Sequence, residues 1–301
     1  MARIALKIDV DTDRGTAEGV PRLAGLFERL DVRATFLFSL GPDHTGRAVK
    51  RAFRRGFMGK VRRTSVLKHY GLKTLLYGTF LPGPHIGRRR EALLRAIDRQ
   101  GFEVGVHTYD HVKWQDSVAN ADEPWTRREL TLARDEFERI FGRSPAVHGA
   151  AGWQVNGYVP RLEQALGFQY ASDGRGREPF VPIARGAPID VPQMPTTLPT
   201  LDELVGRPDL DGVDPIDHLL ALTGAHPDRD QVYTLHAELE GNLYLEAFER
   251  LLRAWRARGT ELIDLAAYAR SLALADLPRC EIVEGTVDGR SGTLACQGEA
   301  L

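Results

Sequence analysis

Short apolar runs rich in β-branched and aromatic residues alternate with helix-patterned segments along most of this chain, and that alternation restricts its fold more than any other feature. IALKIDV at residues 4–10 reads as a strand. Residues 16–30 read as a helix, because Val20, Leu23, Leu26, Phe27 and Leu30 recur at helical spacing. Further strands are predicted over 33–40, 103–109, 146–152, 231–238 and 261–265, with short ones near Tyr170 and Ile189. Helices are predicted over 89–99, 125–141, 159–166, 214–223 and 243–256. Strand, helix, strand is the pattern of a parallel sheet wrapped by helices. About seven such units favour a closed or nearly closed β/α barrel over an open doubly wound sheet, and in either case functional groups belong at the carboxyl ends of strands.

Two pieces break the alternation. Residues 41–87 form an insertion too long for an ordinary connection, and residues 276–301 read as a C-terminal extension, a β-hairpin turning at Asp288-Gly289. The remainder of 1–275 reads as one barrel domain. A hydrophobic content of 43% with 27% charged residues excludes a disordered or fibrous chain. The net charge of −1 hides an asymmetry, since residues 44–90 carry thirteen Lys and Arg and no Asp or Glu. Within that stretch Val49, Phe53, Phe57 and Val61 form an apolar stripe flanked by Arg54, Arg55, Arg62 and Arg63. A basic amphipathic segment of this kind suits an anionic lipid surface or a lipid phosphate, and a second apolar patch at 72–81 can shelter a lipid chain. Arg88, Arg89 and Arg90 either meet that phosphate or start a helix in water. No nucleic-acid-binding module is recognisable, so no nucleic acid is expected as a partner. Two cysteines, and Lys7, Asp9 and Asp11 breaking the N-terminal apolar run, predict a cytoplasmic, reduced protein that meets a membrane only from its surface.

The chemistry-bearing residues fall where strands end. Asp9 and Asp11 share one face of the first strand, and like charges so placed repel unless a cation or a proton intervenes. His107 ends the strand EVGVH, and His111 follows four residues later. Two imidazoles and a carboxylate suit Zn²⁺ with open positions for water, and also Mn²⁺, Co²⁺ or Fe²⁺, so ligand type leaves the reaction open between hydrolysis and iron-dependent oxygenation. His236 ends the run VYTLH. If it faces the same mouth, the set contains a metal site, a spare carboxylate as base and an imidazole as acid, which is the equipment of metal-assisted hydrolysis. Glu238 and Glu240 read as solvated loop carboxylates.

In order along the chain, KIDVDTDRGT, GVHTYDHVKWQD, AAGWQVN, SDGRG and VYTLHAELEGN resemble the motifs of the polysaccharide deacetylase, or NodB homology, family, and most closely its branch of lipid-linked formamido-arabinose deformylases. The likeness runs from about residue 3 to the C-terminus. It implies a distorted (β/α)7 barrel and a metal-dependent hydrolase acting on the formyl group of an undecaprenyl-phosphate-linked sugar at the cytoplasmic face of the inner membrane. It also implies roles: Asp9 as catalytic base, Asp11, His107 and His111 as metal ligands, His236 as general acid, and Asp173 as the carboxylate that tunes that histidine. Typical deacetylases open their third motif with an arginine that orients the base. Here GAAGW stands in its place, with Arg175 as the expected substitute and Trp153 either walling the sugar pocket or packing in the core. A deacetylase acting on another N-acyl sugar, and a non-catalytic lipid-carrier-binding protein, are the competing readings.

Overall fold

The computed structural model describes residues 2–47, 74 and 76–301. In chain order the strands are β1 (Arg3–Val10), β2 (Thr35–Ser39), β3 (Glu103–Thr108), β4 (Val147–His148), β5 (Tyr170–Ala171), β6 (Val181–Ala184), β7 (Ala187–Pro188), β8 (Gln231–His236), β9 (Glu261–Ile263), β10 (Arg279–Gly285) and β11 (Leu294–Ala300). Seven of them make one parallel sheet in the order β5-β4-β3-β2-β1-β8, with β9 also paired to β1. Together with its helices this is the distorted (β/α)7 barrel.

Strand periodicity explains how β1 serves two environments. Ile4, Leu6, Ile8 and Val10 pack outward beneath the helices, while Ala5, Lys7 and Asp9 point the other way, into the barrel. The outer layer is a continuous apolar cluster. Leu23, Phe27 and Leu30 of the Val20–Leu30 helix meet Phe36, Phe102 and Phe248, and Phe27 makes edge contacts with Phe36 and Phe248 at centroid separations of 6.1 and 6.0 Å.

Three predicted strands stop short for identifiable reasons. The run expected over 146–152 pairs only through His148. Beyond it Gly149 donates to the Val106 carbonyl, and the chain turns through Ala151–Trp153 with positive φ at Gly152 and Trp153. The strand expected over 231–238 ends at His236, where a π-helical turn, Leu239–Leu243, follows. At 261–265 the Asp264 carboxylate caps a helix by accepting from Ala267 N, so extended structure ends at Ile263.

The residue 170–190 region and the C-terminal tail build a second sheet, ordered β11-β10-β6-β7, in which the tail hairpin β10/β11 adds to β6. The insertion leaves and re-enters the barrel at one place, because Pro42 and His85 bridge in antiparallel fashion and Ile86 N donates to Gly41 O. Its stripe at 49–61, with Arg54, Arg55, Arg62 and Arg63, lies outside the described residues. Among the described residues no helix is long and apolar enough to cross a membrane.

A close backbone contact ties the loop after β1 to the loop after β8. The π-helical turn Gly15–Gly19 packs on Leu239–Leu243, and a Cβ at Gly19 would sit 2.0 Å from the Ala237 carbonyl oxygen. Gly19→Ala therefore forces the two loops apart. Its urea midpoint is expected to fall by the equivalent of about 1–3 kcal/mol, and an unchanged midpoint would contradict this packing.

Candidate active site

Three strand ends, of β1, β3 and β8, converge on one point. Asp9 and His236 are direct register partners on β1 and β8, so the expected base and acid stand side by side at adjacent carboxyl ends. Asp11 follows two residues after Asp9. His107 sits where the β2/β3 register slips by one residue, between the pairs Phe38–Val106 and Ser39–Thr108. A bulge of this kind redirects a side chain out of the regular pleat. His111 opens the next helix, whose cap is Asp110, accepting from Lys113 N and bound 2.6 Å from His44 Nδ1.

The three expected metal ligands come together. Asp11 Oδ1 lies 3.3 Å from both His107 Nε2 and His111 Nε2, and this oxygen is buried without a hydrogen-bond partner. His107 Nδ1 is 2.7 Å from the Gly149 carbonyl, which fixes the proton on that nitrogen and turns Nε2 toward the centre. Burial pushes His111 below the usual imidazole range despite the nearby Asp11 charge, which favours the neutral, ligating form. Burial opposes ionisation of Asp11, but His111, His107 and His236 more than compensate, and its carboxyl lies well below the usual range. An orphaned carboxylate oxygen facing two imidazole nitrogens fits a divalent metal ion.

Asp9 is flanked by a cation that the sequence did not point to. Lys7, fully buried, places Nζ 3.4 Å from Asp9 Oδ2 and donates to the Ser172 carbonyl at 2.9 Å. Arg175, expected in that role, lies elsewhere: it pairs with Glu203, donates to the Thr196 and Leu198 carbonyls and stacks 5.1 Å from the Trp153 ring centroid. The signal for Lys7 was present as a lysine inside an apolar strand, two residues from Asp9 on the same face.

Asp173 is also displaced from its expected partner. It lies 3.0 Å from His148 Nδ1 and accepts from Ala150 N and Gln193 Nε2, whereas the ion pair of His236 is with Asp202. His148 and Glu163 complete a second, fully buried group. Burial works against a charge on His148, yet the two carboxylates raise it to about 10, while burial and Asp173 drive Glu163 well up. The carboxylate that does face His236 is Asp202, whose Oδ1 is 3.7 Å from Nδ1. Burial lowers the His236 imidazole, but Asp202, Asp11 and Asp9 outweigh it and raise it to about 9.

Trp153 packs in the interior, beside His236. It is 2% exposed and donates Nε1–H to Thr196 Oγ1, and its ring meets His236 edge-on at 6.3 Å.

Glu238 and Glu240 are the opposite of solvated. Glu238 Oε1 accepts from Asp11 N, Thr12 N and Thr12 Oγ1, pinning the metal-site loop, and burial beside Asp11 raises it to about 8. Glu240 is completely buried and accepts from His236 N at 2.9 Å. Of the triple arginine, Arg90 clamps Asp13 through two bonds of 2.7 and 2.8 Å, and Arg89 approaches the same carboxylate at 3.6 Å.

The polysaccharide deacetylase family model matches residues 7–171. The chain belongs to that family. Over 301 residues it is 34% identical to a Shewanella sediminis protein named probable 4-deoxy-4-formamido-L-arabinose-phosphoundecaprenol deformylase, covering 100% of this chain and 96% of that relative. A Wigglesworthia glossinidia brevipalpis protein of the same name is 30% identical over 289 residues, 95% of this chain and 99% of the relative. Among solved structures, one from Mycobacterium smegmatis described as a polysaccharide deacetylase superposes with a TM-score of 0.64 at 17% identity, over 95% of each chain. The structure of Puue allantoinase gives 0.59 at 16% identity over 89% of this chain and 90% of that one. Both support the fold.

Burial raises Glu240 to about 7, so its protonated form stabilises the fold below the ordinary carboxyl range and that contribution is lost as pH rises through 7. Glu240→Gln, neutral at every pH, is expected to match the wild type at about pH 4 and below and to gain on it by up to about 3 kcal/mol above pH 7. Urea unfolding across that range checks this; parallel curves would contradict it.

Proposed function

We propose that this chain is a metal-dependent deformylase that hydrolyses the N-formyl group of undecaprenyl-phosphate 4-deoxy-4-formamido-L-arabinose, releasing formate and the 4-amino-arabinose lipid used to modify lipid A. The observation that carries this reading is the register pairing of Asp9 with His236 beside the Asp11–His107–His111 group, in a chain similar end to end to relatives of that name. The exchange of a neutral amide for a cationic amine lowers the negative charge of the lipid, which connects the reaction to resistance against polymyxin and other cationic peptides.

Asp11, His107 and His111 would hold the ion. Zn²⁺ suits two imidazoles and one carboxylate best, with Mn²⁺, Co²⁺ and Fe²⁺ accepted by the same donors. When bound, such an ion polarises the formyl carbonyl and acidifies a water. The remaining steps belong to the protein. Asp9, charge-balanced by Lys7, takes the proton from the attacking water. His236 gives a proton to the sugar nitrogen as the C–N bond breaks, so formate and an amine leave together. Trp153 walls the sugar side of the mouth.

The assay is formate release from a polyprenyl-phosphate 4-formamido-arabinose by protein loaded with one divalent metal at a time. His107→Ala is expected to abolish release, and Asp9→Asn to lower it by about 10²- to 10⁴-fold. Release that survives His107→Ala would overturn the reading. Preference for the acetyl over the formyl substrate would move it to a deacetylase of the same family.

Residues 41–87, whose ends meet beside the site at Pro42 and His85, would bring the enzyme to the anionic inner-membrane surface through Arg54, Arg55, Arg62 and Arg63. Each cation contributes roughly 1 kcal/mol near such a surface. Co-sedimentation with vesicles containing anionic lipid is expected to fall about tenfold or more when these four arginines become glutamines, and an unchanged bound fraction would exclude this contact.

A further inference from the structure

His236 Nδ1 is buried without a hydrogen-bond partner, and the carboxylate facing it belongs to Asp202 rather than to Asp173. Asp202 sits in the short helix Leu201–Leu204, between β7 and β8, outside the segment that matches the family model. Its other oxygen, Oδ2, is 2.9 Å from Arg290 Nη2. Arg290 comes from the turn of the C-terminal hairpin. The same guanidinium bonds Glu203 through Nε at 2.9 Å and lies 4.5 Å from the centroid of Trp153, the ring that meets His236 edge-on.

The hairpin is seated firmly enough to do this. Gly289, at φ 84°, brings the turn so close to the Glu203 carbonyl that a Cβ would stand 2.3 Å from its oxygen. Arg175 N donates to Ala295 O, Gln297 N donates to Arg175 O, and Gln154 Nε2 donates to Thr293 O, so β11 is fastened to the loops that carry Arg175 and Trp153. Burial works against ionisation of Asp202, but Arg290 and His236 pull its carboxyl below the usual range.

We propose that the C-terminal hairpin is a working part of the active site: Arg290 fixes Asp202, and Asp202 holds the Nδ1–H of His236, so that Nε2 carries the proton delivered to the leaving nitrogen. This rests on the reading of His236 as proton donor. Asp202 and Arg290 are positioning residues. As the C–N bond breaks, its electron pair goes to nitrogen together with the Nε2 proton; Asp202 keeps its charge, and the imidazole is left neutral with its proton on Nδ1. At 3.7 Å the two groups are farther apart than a hydrogen bond, and catalytic hydrogen bonds are often long until substrate is bound.

Two measurements on the full chain test this. Nitrogen-15 NMR of histidine-labelled protein is expected to show a slowly exchanging Nδ1 proton on His236 in the wild type, lost in Asp202→Asn and weakened in Arg290→Met. Formate release by Asp202→Asn is expected to fall about 10²-fold in kcat with KM within about threefold. Asp202→Glu should recover part of it, and Asp202→Asn should cost nothing further in a His236→Ala background. A His236 signal identical in wild type and Asp202→Asn overturns the inference. So does an Asp202→Asn variant as active as wild type while His236→Ala is inactive, an outcome that leaves the deformylase reading standing. If the wild type releases no formate, the deformylase reading fails and the NMR result alone decides the inference.

Discussion

The structure depends on one electrostatic problem: two carboxylates, Asp9 and Asp11, are held at the end of a buried strand, each with an oxygen that no protein group satisfies. An isolated buried charge costs far more than a small fold can spare, so such groups persist only when paired or metal-bound. The two solutions here differ. Asp9 has Lys7, drawn from the same strand face and fully enclosed with it. Asp11 has two imidazoles at 3.3 Å, an arrangement that a divalent cation completes. In the proposed function one carboxylate would serve proton transfer and the other ligation, although they lie two residues apart.

The surrounding scaffold serves that division. A one-residue register slip aims His107, the Gly149 carbonyl fixes its tautomer, and a capped helix presents His111. Glu238, reaching across from the strand that ends in His236, holds the backbone of Asp11 and Thr12, and the Gly19–Ala237 contact keeps the same two loops together. The loops after β1 and β8 are thus joined by buried hydrogen bonds and close packing, which hold geometry more tightly than surface ion pairs do.

The elements legible in the sequence are those that depend on local pattern. The β/α alternation, the DVD pair, the HTYDH spacing and the strand-terminal His236 each combine periodicity with position, and the strand ends converge because parallel sheets put them at one edge. The residues that were misplaced depend on long-range packing. Asp173 follows β5 as the family's motif suggests, but His148 on the neighbouring β4 intercepts it, since His148 and Ala171 are register partners. Arg175 is drawn off by Glu203, 28 residues away. Glu238 and Glu240 look solvated because they alternate with apolar residues after a strand, yet a π-helical turn folds both inward. Asp202 and Arg290, 88 residues apart, carry no local signal of their meeting.

In the proposed function Asp11, His107 and His111 would hold the cation, and the second buried group, His148, Glu163 and Asp173, would not. The most direct measurement is the anomalous difference density of crystals grown with Zn²⁺. A single peak within coordination distance of Asp11 Oδ1, His107 Nε2 and His111 Nε2 is the predicted result. A peak at His148, or none between the three ligands, would contradict it.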